Sequence, residues 1–327
     1  MLMYIYCFLS NTLAILLNVQ VSSGETIMEV GRLRALLELA RCGTMAAAAE
    51  ALFLTPSAVS QQISQLEEEA GVELTERIGR GVRLTSAGQA LVRHAERVMV
   101  VLDEARSELA ELRSEIAGEL RIAAFPSIAS AVLPETFKAL QQAYPRLEIV
   151  VEEFDPIEGL TALKSWRTDI ALIDDLSGAV SDSQKSVELV PVAEDALYVA
   201  VAADHAVSRR PSVSLADLRN ETWAIESTWS GFGDIIINLC RRAGFEPRIN
   251  AKCRGFEMVG AMVASGCSVS IVPGLRLVRP PAGVTWVKLR PEVRRKVFVA
   301  YRLGERDHPT IKVFVEEIVR TASRVLG

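Results

Sequence analysis

The chain has 327 residues, of which 50% are hydrophobic and 24% charged, with a formal net charge of −5. That composition belongs to a globular protein of two or three domains and excludes a disordered or low-complexity chain. Cys7, Cys42, Cys240, Cys253 and Cys267 are scattered without CxxC spacing, and His94, His205 and His308 lie far apart. Neither pattern supports a disulfide framework or a metal site, so reduced thiols and no metal or other cofactor are expected.

Residues 1–27 are apolar, and the first charged side chain is Glu25. Three readings stay open: an extension outside the fold ahead of a start at Met28, a membrane-associated segment, or a cleaved signal. The signal reading lacks a basic first region. The membrane reading is interrupted by Ser10, Asn11, Thr12, Asn18 and Gln20. The extension is preferred, because a regular domain pattern begins abruptly at Glu29.

Val30 to Arg41 carries apolar residues at helical spacing and stops at Gly43. Thr44 is placed to cap a second helix, Met45 to Leu52, whose alanine run allows close helix packing. Thr55 then caps a third helix with Pro56 at its first position, and this helix stops at Gly71. Its inner face is Val59, Ile63 and Leu66; Ser57, Ser60, Gln61, Gln62, Ser64 and Gln65 form the outer one. Val72–Leu74 and Val82–Leu84 are expected as two short strands joined through Gly79 and Gly81. Between Arg77 and His94 lie Arg77, Arg80, Arg83 and Arg93 with no Asp or Glu, a local positive strip on an acidic chain. The order of support helix, polar recognition helix and basic wing is that of a winged helix-turn-helix for double-stranded DNA.

Thr85 starts a long helix with Leu91, Ala95, Val98, Leu102, Ala105, Leu109, Leu112 and Ile116 on a heptad seam. Such a regular seam predicts pairing with a second helix, against packing on its own domain. After Gly118 strands alternate with helices, which predicts an α/β domain with mostly parallel sheets. Expected strands are 120–124, 148–152, 170–173, 195–202, 222–225, 249–253, 269–272 and 297–301. Helices are expected at 132–144, 157–165, 232–243, 255–265 and 310–325.

Residues 29–118 resemble the DNA-binding half of the LysR-type transcriptional regulators. Thr44, Ala48-Ala49, Leu52, Thr55-Pro56-Ser57-Ala58-Val59-Ser60, Ile63, Leu66-Glu67, Gly71, Leu74, Arg77, Arg80 and Leu84-Thr85-Ala87-Gly88 carry the match. Thr75 departs from it, since the family usually has Phe there, and this is expected to loosen the wing. RIAAFPSIASAVLP, LKSWRTDIALI, EDALYVAVAADHAV and MVASGCSVSIVP stand in the order of the family's effector domain.

The resemblance implies an N-terminal all-α winged helix-turn-helix with a long linker helix, then a C-terminal α/β two-subdomain effector domain like a periplasmic binding protein. The domains are placed at 28–85, 86–117 and 118–327. Within the last, subdomain I is 119–192 with 292–327 and subdomain II is 193–291, with crossovers near Val192 and Pro291. DNA contacts fall to Thr55, Pro56, Ser57, Ser60, Gln61, Gln62, Arg80 and Arg83. The effector contacts are Ser127, Ile128, Pro156, Thr228, Ser230, Phe232 and Phe256, with Trp229, Arg254 and Gly255 beside them.

A hydroxyl at the turn before a helix, as at Ser127, suits an anion. Ordinary capping and packing remain open for each of these residues. The implied partners are promoter DNA, a second copy through the linker helix and a tetramer beyond it, a small-molecule effector, and RNA polymerase. The protein is expected to be cytoplasmic and not an enzyme, since Ser127 and the cysteines lack a His in motif spacing. The first rival is a solute-binding protein of periplasmic type with an N-terminal signal or anchor; the others are an enzyme on the same α/β scaffold and a molybdate-type regulator with a different ligand domain.

Overall fold

A computed structural model describes residues 28–78, 81–112, 116–183, 187–226, 231–278 and 280–326. The expectations for residues 1–27, Arg80, Thr228, Trp229 and Ser230 lie outside the described residues. The chain divides into two compact units between Ala95 and Glu96.

In the first unit, α1 is Val30–Cys42, α2 Met45–Leu52 and α3 Pro56–Ala70. Local chemistry explains each boundary. Gly43 ends α1 with φ +71°, Thr44 accepts from the Ala47 N–H, and Thr55 accepts from the Ala58 N–H at 3.2 Å. Leu36, Leu39, Ala48, Ala49, Val59, Ile63 and Leu66 meet in one core.

Two antiparallel strands follow, β1 Thr75–Ile78 and β2 Gly81–Leu84, with Thr75 opposite Leu84. The first strand therefore begins after the expected Val72–Leu74. Leu74 is instead buried in the core, and the Glu67 carboxylate accepts from the Leu74 N–H, the Thr75 N–H and the Thr75 hydroxyl. Those bonds occupy donors that a strand ladder would use. They also tie Thr75 to α3, so the expected loosening at this position is corrected. Gly88 stands at the start of α4, Ser86–Glu111, where a Cβ would lie 2.1 Å from the Leu74 carbonyl oxygen.

The second unit holds the rest of α4 and an α/β domain. Strands β3 Gly118–Ala124, β4 Leu147–Glu153, β5 Ile170–Asp174 and β12 Arg294–Arg302 build its first lobe, in the order β4-β3-β5-β12. Helices α5 Pro126–Ala131, α6 Leu133–Ala143, α7 Pro156–Lys164 and α11 Pro309–Leu326 belong to the same lobe; a short α8 spans Ala179–Ser183. Strand β6, Val187–Ala202, pairs with β12 up to Ala196 and then, from Leu197, with β10 Ser270–Pro273 and β11 Val284–Leu289. The change of partner thus comes beyond the expected Val192, and Pro291 lies in the return between β11 and β12.

The second lobe adds β7 Ser212–Val213, β8 Thr222–Glu226, α9 Phe232–Arg242, β9 Arg248–Cys253 and α10 Phe256–Ala264. The expectation of mostly parallel sheets is corrected. β3, β4 and β5 run parallel, as do β8 with β9 and β7 with β11, but β12, β6, β10 and β11 form an antiparallel spine. A strand shared by two lobes must meet returning strands, which makes those pairings antiparallel. Among the described residues no helix is long and apolar enough to cross a membrane.

Candidate functional site

In the first unit the exposed surface of α3 is polar at its N-terminal end. Thr55, Pro56, Ser57, Ser60, Gln61 and Ser64 are exposed and Gln62 is half-buried, while Val59, Ile63 and Leu66 are fully buried. The Thr55 and Ser57 hydroxyls stand 2.9 Å apart. Both donors and acceptors are therefore available along one edge, as base readout requires. Arg83 is exposed on the wing, but its guanidinium is paired with Glu76 directly across the strands, at 2.8 and 2.9 Å. The positive strip read from 77–94 stops one residue short of this partner. An exposed pair of this kind holds about 0–1 kcal/mol, so DNA phosphate can displace it.

The heptad face of α4 splits in two. Ala95 is in the first unit's core, whereas Val98, Leu109 and Leu112 are 41%, 64% and 82% exposed. The stripe turned into the second unit is Met99, Asp103 and Ser107 instead. Asp103 accepts from the Trp166 indole N–H at 3.2 Å and lies 3.4 Å from Arg302 Nε; the Ser107 hydroxyl donates to the Gly304 carbonyl at 3.0 Å. Arg302 in turn donates to the Leu163 and Thr168 carbonyls and pairs with Glu305 at 2.6 Å. Burial pushes the Glu305 carboxyl up to about 7 against the pull of Arg302.

Between the lobes of the second unit lies a cleft of about 360 Å³, counted to its open mouth. Phe125, Pro126 and Ser127 line it from the end of β3, Asp155 and Pro156 from the start of α7, and Asp174 and Ser177 from beyond β5. Glu226, Phe232, Ile235, Phe256 and Pro273 line it from the second lobe, with Arg295 from β12. Apart from Arg295, which is at the start of β12, these groups stand at or just beyond the carboxyl ends of strands, where α/β sheets hold ligands. Of the expected effector residues, Ser127, Pro156, Phe232 and Phe256 come together here. The Phe232 and Phe256 ring centroids stand 6.1 Å apart with the rings tilted at 60°. Ile128 does not join them: it is fully buried in the first lobe's core, because the turn after Ser127 carries it inward. Arg254 is exposed and outside the lining.

The charged centre of the cleft was not legible in the sequence. Arg295 Nη2 donates to Ser127 Oγ at 2.6 Å and to Asp195 Oδ2 at 2.7 Å. Its Nε donates to the same Asp195 oxygen at 2.9 Å, and its Nη1 reaches Asp174 at 3.4 Å. The guanidinium lies 4.9 Å from the Phe125 ring centre. Burial raises the Asp195 carboxyl's pKa, opposed by Arg295 and by the Leu275 N–H. Ser127 is thus held by a cation rather than left open for an anion. The one signal for this centre was Arg295 itself, on the inward face of β12 in phase with Val297 and Val299.

Comparison with known proteins assigns both halves of the chain to one family. Residues 30–89 match the family of bacterial regulatory helix-turn-helix proteins of the lysR family, and residues 113–323 match the LysR substrate binding domain. The DNA-binding transcriptional dual regulator OxyR of Escherichia coli strain K12 is 30% identical over 285 residues, covering 85% of this chain and 90% of that protein. The transcriptional dual regulator GltC of Bacillus subtilis strain 168 is 26% identical over 308 residues, covering 91% and 99%. Among solved structures, full-length CbnR in complex with its target DNA superposes with a TM-score of 0.51 at 26% identity, covering 90% of this chain and 100% of that one. A full-length OxyR variant from Pseudomonas aeruginosa shares the fold, with a TM-score of 0.62 at 23% identity and coverage of 90% and 98%. With both halves matched in order, the chain belongs to the LysR family of DNA-binding transcriptional regulators.

Proposed function

We propose that this regulator reads promoter DNA with the exposed edge of α3 and answers to a small molecule held in the cleft of its second unit. The observation that carries the first part is the Thr55-capped helix, polar on one face and fully buried on the other. Ser57, Ser60, Gln61 and Gln62 contact base edges, Thr55 and Pro56 enter the groove first, and Arg83 and Arg80 contact the phosphate backbone. The relative CbnR is described in complex with target DNA. Exposed Val98, Leu109 and Leu112 support pairing of the linker helix with a second copy, and higher assembly from there.

The effector site is built from Ser127, Pro156, Phe232 and Phe256 around Arg295, with Thr228 and Ser230 proposed beside them. The ligand acts by binding one arrangement of the two lobes better than another. The subdomains are 119–196 with 292–327, and 197–291, following the change of partner along β6, and the protein works in the cytoplasm as a regulator and not as an enzyme.

One relative's structure is described as bound to hydrogen peroxide. A thiol response to peroxide needs an accessible thiolate. Here burial pushes the Cys240 thiol up to about 12 and raises those of Cys253 and Cys42, and the exposed Cys267 lies outside the cleft lining, which supports a non-covalent effector in the cleft.

Footprinting of the upstream intergenic DNA tests the reading. Gln61→Ala should weaken protection of that site while leaving binding to random DNA unchanged; equal loss on both would refute base readout. Ser127→Ala should blunt the effector response of a reporter with DNA affinity intact, and a normal response would refute the cleft.

A further inference from the structure

The cleft is acidic, and one of its acids has a buried oxygen without a hydrogen-bond partner among the described residues. Asp155, Asp174 and Glu226 line it, with the guanidinium of Arg295 in the lining and that of Arg276 behind the Phe256 ring. The Arg295 guanidinium is already engaged by Ser127, Asp195 and Asp174, so it has little left to offer an incoming anion. Glu226 is different. It is the last residue of β8, it is 3% exposed, and its Oε1 accepts no hydrogen bond among the described residues. A carboxylate oxygen left bare in a protein interior costs free energy, unless a ligand supplies the donor.

We infer that the effector of this chain carries a protonated amine that seats against Glu226, joined to an apolar body lying among Phe125, Phe232, Ile235 and Phe256. This rests on reading the cleft as the effector site. Phe125, Phe232, Phe256 and the Ile235 side chain provide apolar walls along its open mouth.

The groups that face Glu226 are Arg276 after β10, Asp155 and Glu153 at the end of β4, Arg295 on β12 and Cys253 at the end of β9. Arg276 is the nearest counter-influence, but it is stacked over the Phe256 ring at 4.1 Å and forms no ion pair with Glu226 among the described residues. Burial, reinforced by Asp155 and Glu153, pushes the Glu226 carboxyl up to about 7. An ammonium ion binds the ionised form. Its affinity therefore rises with pH, whereas a carboxylate ligand would favour the protonated form and lose affinity.

The test uses full-length protein with benzylamine and phenethylamine as cationic probes and benzoate and phenylacetate as anionic ones. Binding is followed by calorimetry and thermal shift near pH 6 and near pH 8. The amines should bind about tenfold more tightly at the higher pH, with a proton released at the lower one, because Glu226 is about one-tenth ionised there. Glu226→Gln should remove that pH dependence and weaken the amines at least about tenfold. Ile235→Trp, which fills the cleft, should abolish binding of every probe.

Failure of both amines to bind overturns the inference. Preferential binding of the carboxylates, lost in Ile235→Trp, overturns the amine assignment but leaves the cleft as the effector site. Amine binding that survives Ile235→Trp overturns both.

Discussion

Replacing Glu226 by Gln makes the free protein more stable at neutral and alkaline pH. The carboxyl sits at about 7 in the folded chain against 4.5 for an ordinary glutamate. Below the lower value it is protonated in both states and carries no penalty. As pH climbs towards 7 the unfolded chain releases its proton while the folded chain keeps it, so stability falls. Above 7 the folded carboxyl is also ionised, and the loss is complete.

At about 1.4 kcal/mol for each pH unit between the two values, this amounts to about 3 kcal/mol. Glutamine has the same shape without the charge, so its stability should not fall with this group. By pH 8 the variant should gain up to that amount, a rise of roughly 6–12 °C in the melting temperature of the second unit. Near pH 4.5 the two proteins should melt together. Glu305 also sits at about 7 and titrates in both, so the difference between the curves isolates Glu226. Differential scanning calorimetry across pH 4.5 to 8 measures it. Parallel curves, or a variant less stable than the parent at pH 8, would refute the argument that a bare, buried carboxylate faces the cleft.

The linker helix gives a second prediction. A Cβ on Gly304 would stand 2.4 Å from the Val100 carbonyl oxygen and 2.8 Å from both Asp103 Cβ and the Glu104 nitrogen. Gly304→Ala should therefore lift that part of α4 and cost about 1–3 kcal/mol, with faster amide exchange across it; unchanged exchange would contradict the packing. Thr55→Ala removes the cap of α3 and should cost the first unit about 1 kcal/mol together with operator affinity, whereas an unchanged melt and unchanged binding would show that the cap contributes nothing. Leu109→Glu introduces charge on the exposed seam and should shift the protein towards monomer in sedimentation velocity. An unaltered sedimentation coefficient would rule out that face as the pairing surface.

Where a boundary depended on neighbours within a few residues, the sequence was informative. Thr44, Thr55, Pro56 and Gly71 mark their helix ends through bonds or backbone angles that the adjacent chain supplies. The same locality made the inner face of α3 readable, since Val59, Ile63 and Leu66 recur at one helical spacing. The displaced β1 shows the limit: Val72 and Leu74 have strand character, but a carboxylate at Glu67 takes up the Leu74 N–H. The orientation of β6 and β12 was equally hidden, because alternation of strands with helices does not say which strand a second lobe will share.

The sequence by itself determined the family, the order of the domains and the polar edge of the recognition helix, all of which rest on short spacings. Tertiary structure decided the chemistry of the cleft. Ser127, Asp174, Asp195 and Arg295 lie on separate elements and meet only when β5, β6 and β12 are brought together with the start of α5. It also decided which face of α4 is used. The heptad seam includes Val98 and Leu109, yet Asp103 and Ser107 turn inward, because Trp166, Arg302 and the Gly304 carbonyl provide buried partners for polar groups on that side. Burial and charge pairing depend on distances across the fold, which residue order does not contain.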